Sequence, residues 1–321
     1  IDERPDGIGP DATVEAYDLD GNLLAAAPFA DNGTALLRGL PEGPIDLQLV
    51  DPGPTTNRDG DETEGDGSDG GTRYRAQPLS RPAEDPPDSA GDAATELAAG
   101  SNYPPTRDGT TLSAHVTLPG TVDGGPYPTL VEYSGYSPSD PGATEDPYRL
   151  LIPALGYALV QVNVRGTGCS GGSFDAFERI QSLDGYDVIE TVAAQPWSAG
   201  VGMFGVSYPG IMQLHVASTR PPSLAAIAPL SVTDGVDSVL YPGGVYNDGF
   251  GEEWTRQVSN RAEAGGQAWA AARAEGGDTT CATNQALRVH NPDLVEVVKA
   301  NPFVTELTLE RSARTHAAAI E

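Results

Sequence analysis

The pattern of apolar and polar positions changes three times along the chain and divides it into four stretches. Residues 1–50 hold short runs in which the two kinds alternate: Thr13-Val14-Glu15-Ala16-Tyr17, Leu23-Leu24 and Ile45-Asp46-Leu47-Gln48-Leu49-Val50. Period-two alternation predicts strands, and Asp18-Leu19-Asp20-Gly21-Asn22 between the first two runs predicts a hairpin turn. A small β-sandwich-like module is expected here, and it carries no catalytic constellation. From 51 to 100 the periodicity disappears and Asp, Glu, Gly, Pro, Ser and Thr dominate. Carboxylates recur at alternate positions between Asp59 and Asp69, as in a calcium loop, but the EF-hand's closing Glu and flanking amphipathic helices are missing. The stretch reads as a solvated, self-repelling linker.

Residues 101–248 alternate strand and helix patterns. Segments 111–118, 129–133, 158–164, 201–206 and 224–230 read as strands, the last two as buried ones; 183–194 and 209–218 have helical periodicity. Alternating buried strands and helices predict a mostly parallel sheet covered on both faces. Residues 249–321 are rich in Ala, Glu and Arg and include helical stretches at 266–274 and 294–300, which predict a helical cap over that sheet.

Composition narrows the function classes. The chain has 321 residues, enough for two domains and a linker. Its 39 glycines and 28 prolines follow no collagen-like period and fit turn-rich folded structure with one flexible segment. Acidic residues outnumber basic ones 46 to 18, for a net charge of −28, and Lys299 is the single lysine. Such a charge repels phosphate backbones, so nucleic acid is not an expected partner. No apolar run reaches the ~20 residues that span a bilayer. The chain opens at Ile1 without a basic and apolar leader, so any export signal is expected to be removed already. Cys169 and Cys281 are too few for a disulfide scaffold or a zinc site. They fit two separate buried thiols or one bridge; a bridge would close a loop of roughly a hundred residues, stabilise by up to ~4–5 kcal/mol, and favour an oxidising compartment. A secreted or cell-surface location is the corresponding expectation.

The sharpest chemical signal is Gly205-Val206-Ser207-Tyr208-Pro209-Gly210, which follows one predicted strand and opens a predicted helix. A serine on such a turn projects its hydroxyl above the sheet edge, the arrangement called a nucleophile elbow. Pro209 suits the first helical turn, where a missing N–H costs nothing. The usual glycine two places after the serine is displaced here by one, to Gly210. The alternative is a serine that merely caps the helix.

With these residues the chain resembles the acyl hydrolases grouped with cocaine esterase and the Xaa-Pro dipeptidyl-peptidase-like hydrolases. Three segments carry the likeness: Pro128-Thr129-Leu130-Val131-Glu132-Tyr133-Ser134-Gly135-Tyr136; Val164-Arg165-Gly166-Thr167-Gly168-Cys169-Ser170-Gly171-Gly172; and Gln195-Pro196-Trp197 leading to Val201-Gly202-Met203-Phe204-Gly205-Val206-Ser207-Tyr208. They span roughly residues 103–240 and leave the N-terminal module outside. The resemblance implies an α/β-hydrolase fold with a helical cap and a serine acyl hydrolase acting on a small-molecule or peptide ester or amide through an acyl-enzyme. It implies no metal or organic cofactor. Ser207 would be the nucleophile, the Tyr208 N–H one oxyanion donor, and the Tyr136 hydroxyl the other, with Tyr133 as the lesser candidate.

The family's acid and base follow the serine on later strands. Here His115 precedes Ser207, His215 lies in the following helix, and His290 and His316 fall in the helical region. Asp234, Asp237, Asp248, Asp278 and Asp293 follow no later strand either. The expectation is that the chain stops before the last core strands and that the triad's Asp and His are not in it. A catalytically incomplete interaction protein on the same scaffold is the alternative from another class. A third reading comes from Gly166-Thr167-Gly168-Cys169-Ser170-Gly171, which matches G-x-G-x-x-G after a strand, with Asp184 and Asp187 at a plausible distance for a ribose. Against dinucleotide binding, no long helix opens at the glycines and Arg165 occupies the turn. Trp254, Trp269, Phe250 and Tyr246 could line a substrate pocket or simply pack.

Overall fold

The protein is described by a computed structural model, which covers residues 13–17, 22–28, 45–50, 73–76, 95–286, 288, 291–300 and 306–320. These fall into two compact units, Ile1–Ala83 and Glu84–Glu321.

The smaller unit contains β1 (Thr13–Tyr17), β2 (Leu23–Pro28), β3 (Ile45–Val50) and β4 (Arg73–Ala76), an antiparallel sheet in the order β2-β1-β3-β4. Val14 and Ala16 are buried between partly exposed Thr13, Glu15 and Tyr17, so the alternation legible in the sequence is the alternation of the sheet's two faces. β1 and β2 pair as the expected hairpin. Among the described residues this module is one sheet rather than a sandwich. Within the stretch 51–100 expected as a linker, Arg73–Ala76 pairs with β3 and residues 95–100 belong to the larger unit. The acidic run 59–69 lies outside the described residues.

In the larger unit, β5 (Gly100–Asn102), β6 (Ala114–Thr117), β7 (Tyr127–Ser134), β8 (Ala158–Asn163), β9 (Ser198–Val206) and β10 (Leu224–Leu230) form a sheet in the order β5-β6-β8-β7-β9-β10. β8, β7, β9 and β10 are mutually parallel, while β5 and β6 add antiparallel pairs at one edge. Parallel neighbours need crossover connections, and helices supply them: α1 (Pro147–Ala154), α2 (Arg179–Ala193) and α3 (Tyr208–Ala217). The faces follow from β7, where successive side chains point opposite ways. Tyr133 reaches α2, its hydroxyl donating to the Gln181 carbonyl at 3.1 Å. Glu132 points to the α1 side and accepts from Gln161 Nε2 at 2.7 Å; Gln161 Oε1 in turn accepts from Arg149 of α1 at 2.6 Å. The apolar core lies between the α2/α3 face and the sheet, with Val131, Val160, Met203, Ile189, Met212, Val216 and Trp197 all nearly inaccessible.

Segment 224–230 has the bounds predicted but not the burial. β10 is an edge strand among the described residues, and Ala225, Ala226, Ala228 and Leu230 are exposed. α1 had no counterpart among the predicted helices, because Pro153 near its end obscures the periodicity; Asp146 caps it by accepting from the Tyr148 N–H at 2.8 Å, and Pro147 opens it.

Beyond β10 the described residues are helical: α4 (Val236–Leu240), α5 (Phe250–Ala262), α6 (Ala268–Glu275), α7 (Thr279–Asn284), α8 (Leu294–Ala300), α9 (Glu306–Glu310) and α10 (Ala313–His316). α5 to α7 form the cap. A Cys169–Cys281 disulfide fastens α7 to the loop that follows β8. Buried Arg288 reinforces this attachment, donating to the Ala262 carbonyl at the end of α5 and to the Gly168 and Ser170 carbonyls of the loop.

Candidate active site

The site is built at the carboxyl ends of β7, β8 and β9, the edge where parallel sheets present loops to ligands. Ser207 occupies the turn between β9 and α3 with φ 66° and ψ −121°, a conformation that costs of order 1–3 kcal/mol for a residue with a side chain. Two backbone bonds hold it there: its N–H donates to the Leu230 carbonyl at 2.9 Å, and its carbonyl accepts from the Ile211 N–H at 2.9 Å. The side chain is half-buried.

Both flanking glycines are required by close approach. A Cβ on Gly205, whose φ is 150°, would lie 2.6 Å from the Cβ of Pro209. A Cβ on Gly210 would lie 2.7 Å from the Leu230 carbonyl oxygen and 3.2 Å from that of Gly205. The displaced glycine is thus the point at which the first turn of α3 crosses the ends of β9 and β10.

The Tyr136 hydroxyl stands 3.3 Å from Ser207 Oγ. Tyr136 follows β7 and is fixed at several points. Its N–H donates to Ser134 Oγ at 3.1 Å, its ring tilts against that of Tyr208 at a centroid separation of 5.7 Å, and its carbonyl accepts from Asn163 Nδ2 at 3.0 Å. Gln267, buried at the start of α6, also donates to that carbonyl. On the other side the Trp254 indole N–H donates to the Tyr136 hydroxyl at 3.0 Å, and the Arg261 guanidinium sits 5.4 Å from the ring centroid.

Tyr208 is completely buried, stacked on Phe177 at 4.7 Å, with its hydroxyl donating to Gln181 Oε1 at 3.3 Å. Burial holds the Tyr133 and Tyr208 phenols well above the usual tyrosine range, so both stay neutral. Tyr133 faces α2 and not Ser207. What Tyr208 presents to the site is its backbone: it opens α3, so its N–H is one of the helix's first four, which have no intrahelical acceptor.

The histidines are elsewhere. His215 is buried in α3, face to face with Phe177 at 5.7 Å, and its Nε2 has no hydrogen-bond partner among the described residues. Burial first, then nearby His316 and Arg179, lowers its pKa to about 4. His115 on β6 likewise has its pKa lowered to about 4, chiefly by burial. His316 Nε2 is bonded to the Glu310 carbonyl at 2.7 Å, and His290 lies outside the described residues. None of the described histidines hydrogen-bonds Ser207. Asp234 accepts from Ser312 Oγ and the Arg314 N–H, while Asp278 and Asp293 accept from backbone N–H groups at the starts of α7 and α8.

The glycine-rich loop is filled by the protein itself. A Cβ on Gly166 would meet the Phe174 nitrogen at 2.2 Å, and one on Gly168 would meet Trp269 at 2.7 Å. Asp184 is engaged by Arg165 through two hydrogen bonds of 2.6 Å, and Asp187 by Arg107 at 2.7 and 3.0 Å. The next helix begins only at Arg179. Both carboxylates proposed for a ribose are therefore consumed by ion pairs.

Trp254, Arg261 and Gln267 are the cap residues that meet Tyr136. Trp269 donates to Gln267 Oε1 at 3.0 Å, Tyr246 hydrogen-bonds Glu252, and Phe250 is exposed. No motif marks Gln267 or Asn163, and Trp254 could be read only as a candidate lining residue. A cavity of about 500 Å³ between α5 and α8, lined by Arg256, Ser259, Asn260 and Arg288, does not include Ser207 or Tyr136. No group of His, Cys, Asp and Glu suited to a metal ion occurs among the described residues, and no described helix is long and apolar enough to cross a membrane.

Comparisons with known proteins bear on the family and the fold. Cocaine esterase of a Rhodococcus species is 35% identical over 128 residues, which make up 39% of this chain and 22% of that protein. A CocE/NonD family hydrolase from Staphylococcus aureus superposes with a TM-score of 0.52 at 22% identity, over 68% of this chain and 42% of its own. An aminopeptidase from a marine-sediment archaeon gives 0.51 at 16% identity, over 70% and 41%. The chain thus matches under half the length of these relatives, and the two structures establish the fold, an α/β-hydrolase. The family model described as X-Pro dipeptidyl-peptidase (S15 family) matches residues 108–320, the whole site and cap included, and the chain belongs to that family.

Proposed function

We propose that the protein is a serine acyl hydrolase that cleaves an ester or amide through an acyl-enzyme on Ser207. The observation that carries this reading is the half-buried Ser207 hydroxyl on a strained strand-to-helix turn, with a tyrosine hydroxyl 3.3 Å away. Ser207 Oγ attacks the carbonyl carbon, its proton passes to a general base, and the carbonyl π electrons move onto oxygen. The Tyr136 hydroxyl and the Tyr208 N–H donate to that oxyanion, each worth about 10²–10³ in rate where such donors have been removed from other enzymes. Collapse of the adduct expels the alcohol or amine, and water then releases the acid. The base is assigned to none of the described histidines.

The ester half of the reading is supported by the likeness to a relative named cocaine esterase, and the amide half by the family's name. The Cys169–Cys281 disulfide supports an oxidising compartment, so a secreted or cell-surface location is part of the proposal. The test is reaction of the full-length protein with a fluorophosphonate probe, followed by peptide mapping. Label on Ser207, absent from a folded Ser207→Ala variant, is expected. An intact fold with no label would favour a non-catalytic role.

A further inference from the structure

We propose that Trp254 of the cap is a positioning residue for the oxyanion site, orienting the Tyr136 hydroxyl through its indole N–H. The inference rests on the role given to Tyr136 above and adds a requirement for the cap.

A phenol oxygen carries one proton and accepts in two directions, whereas an indole nitrogen only donates. At 3.0 Å, Trp254 Nε1 fills one accepting direction of the Tyr136 oxygen. The Tyr136 proton therefore cannot point at Trp254 and is left for the other polar neighbour among the described residues, Ser207 Oγ, 3.3 Å away. Once the Ser207 oxygen is bonded to the substrate carbon, the same proton faces the space in which the oxyanion forms. Without the indole N–H the hydroxyl would turn freely and spend its proton on water.

The rest of the cap immobilises the same tyrosine. Arg261 lies seven residues after Trp254 on α5, close to two full turns, so both side chains leave one face of the helix. Its guanidinium covers the Tyr136 ring at 5.4 Å, in cation–π range. At the other end of the residue, Gln267 Nε2 donates to the Tyr136 carbonyl and, at 3.3 Å, to that of Gly135. Gln267 is fixed in turn because its Oε1 accepts from Ser137 Oγ at 3.1 Å and Trp269 Nε1 at 3.0 Å. Tyr136 is thus held at its hydroxyl, ring and carbonyl by residues at least 118 positions away in sequence.

The test is a double-mutant cycle in the full-length protein with a p-nitrophenyl ester. Two replacements at 254 remove the N–H: Trp254→Phe, and 3-benzothienylalanine, which keeps the bicyclic shape. Each is expected to lower kcat about 5- to 10-fold with KM unchanged within two-fold, the size of one hydrogen bond. In a Tyr136→Phe background the same replacements are expected to change kcat less than two-fold, because the hydroxyl they orient is gone. An undiminished loss in that background, or an effect confined to KM, would make Trp254 a substrate contact and overturn the proposal. If Tyr136→Phe alone leaves kcat/KM unchanged, the oxyanion role of Tyr136 fails and this inference with it. If Tyr136→Phe is strongly impaired while both Trp254 replacements are neutral, only the present inference fails.

Discussion

Removing the Cys169–Cys281 disulfide should lower stability by a measurable amount. Cys169 and Cys281 are 112 positions apart, so the bridge closes a long loop of the unfolded chain. The chain-entropy relation gives a loss of about 16 cal/mol/K for a loop of that size, or ~5 kcal/mol at 25 °C. The native state offsets little of this, because the loop and the cap also meet through non-covalent bonds that survive reduction. Asn284 Nδ2 donates to the Cys169 carbonyl at 2.9 Å, and Arg288 holds the carbonyls on either side of Cys169. The variant Cys169→Ala/Cys281→Ala should therefore fold, but with ~2–5 kcal/mol less stability, the usual range for a native bridge. For a unit of this size that corresponds to a fall in Tm of about 4–20 °C. Urea unfolding of the variant and the oxidised and reduced wild type checks this, with the reduced protein expected to coincide with the variant. A midpoint shift worth under ~1 kcal/mol at unchanged slope would refute the loop-entropy reasoning.

Two other outcomes follow, one from the turn at Ser207 and one from a buried histidine outside the site. Gly205→Ala combines a φ of 150° with a Cβ 2.6 Å from that of Pro209, and should cost about 2–4 kcal/mol in thermal unfolding; a change within ~0.5 kcal/mol would show that the turn is not tightly packed. His215 is held neutral in the fold, with a pKa of about 4 against ~6.5 when free. Between those values the unfolded chain binds a proton that the folded one refuses, so stability falls as pH drops from 6.5 to 4, by up to about 3 kcal/mol. The groups facing His215 are Phe177, His316, Arg179 and Asp234. Stability measured from pH 7.5 to 4 should decline less steeply in His215→Gln than in wild type, and parallel curves would exclude His215 as the source.

Local physics carried much of the fold into the sequence. The bounds of Leu224–Leu230 and Leu294–Ala300 were legible because each is a run of one periodicity between turn residues. The strand-to-helix turn at Ser207 was legible because its constraints are local: a strand, glycines where backbones meet, a serine, and a proline in a first helical turn. The three-residue β5, the four-residue β4 and α1 were not, since short or proline-interrupted segments hold too few positions to show a period.

By itself, the sequence determined the parallel α/β core, the helical region after it and the serine at the turn, all properties of residues near one another along the chain. Only the tertiary structure decided the rest. It chose the bridge over two free thiols, gave Arg165 to Asp184 rather than leaving that acid for a ribose, and brought Trp254 and Gln267 onto Tyr136. The reason is that these contacts join different elements, 19 positions apart for Arg165 and Asp184 and more than a hundred for the others, so they depend on how whole elements pack, and no local spacing encodes which side chain will fill a given lone pair.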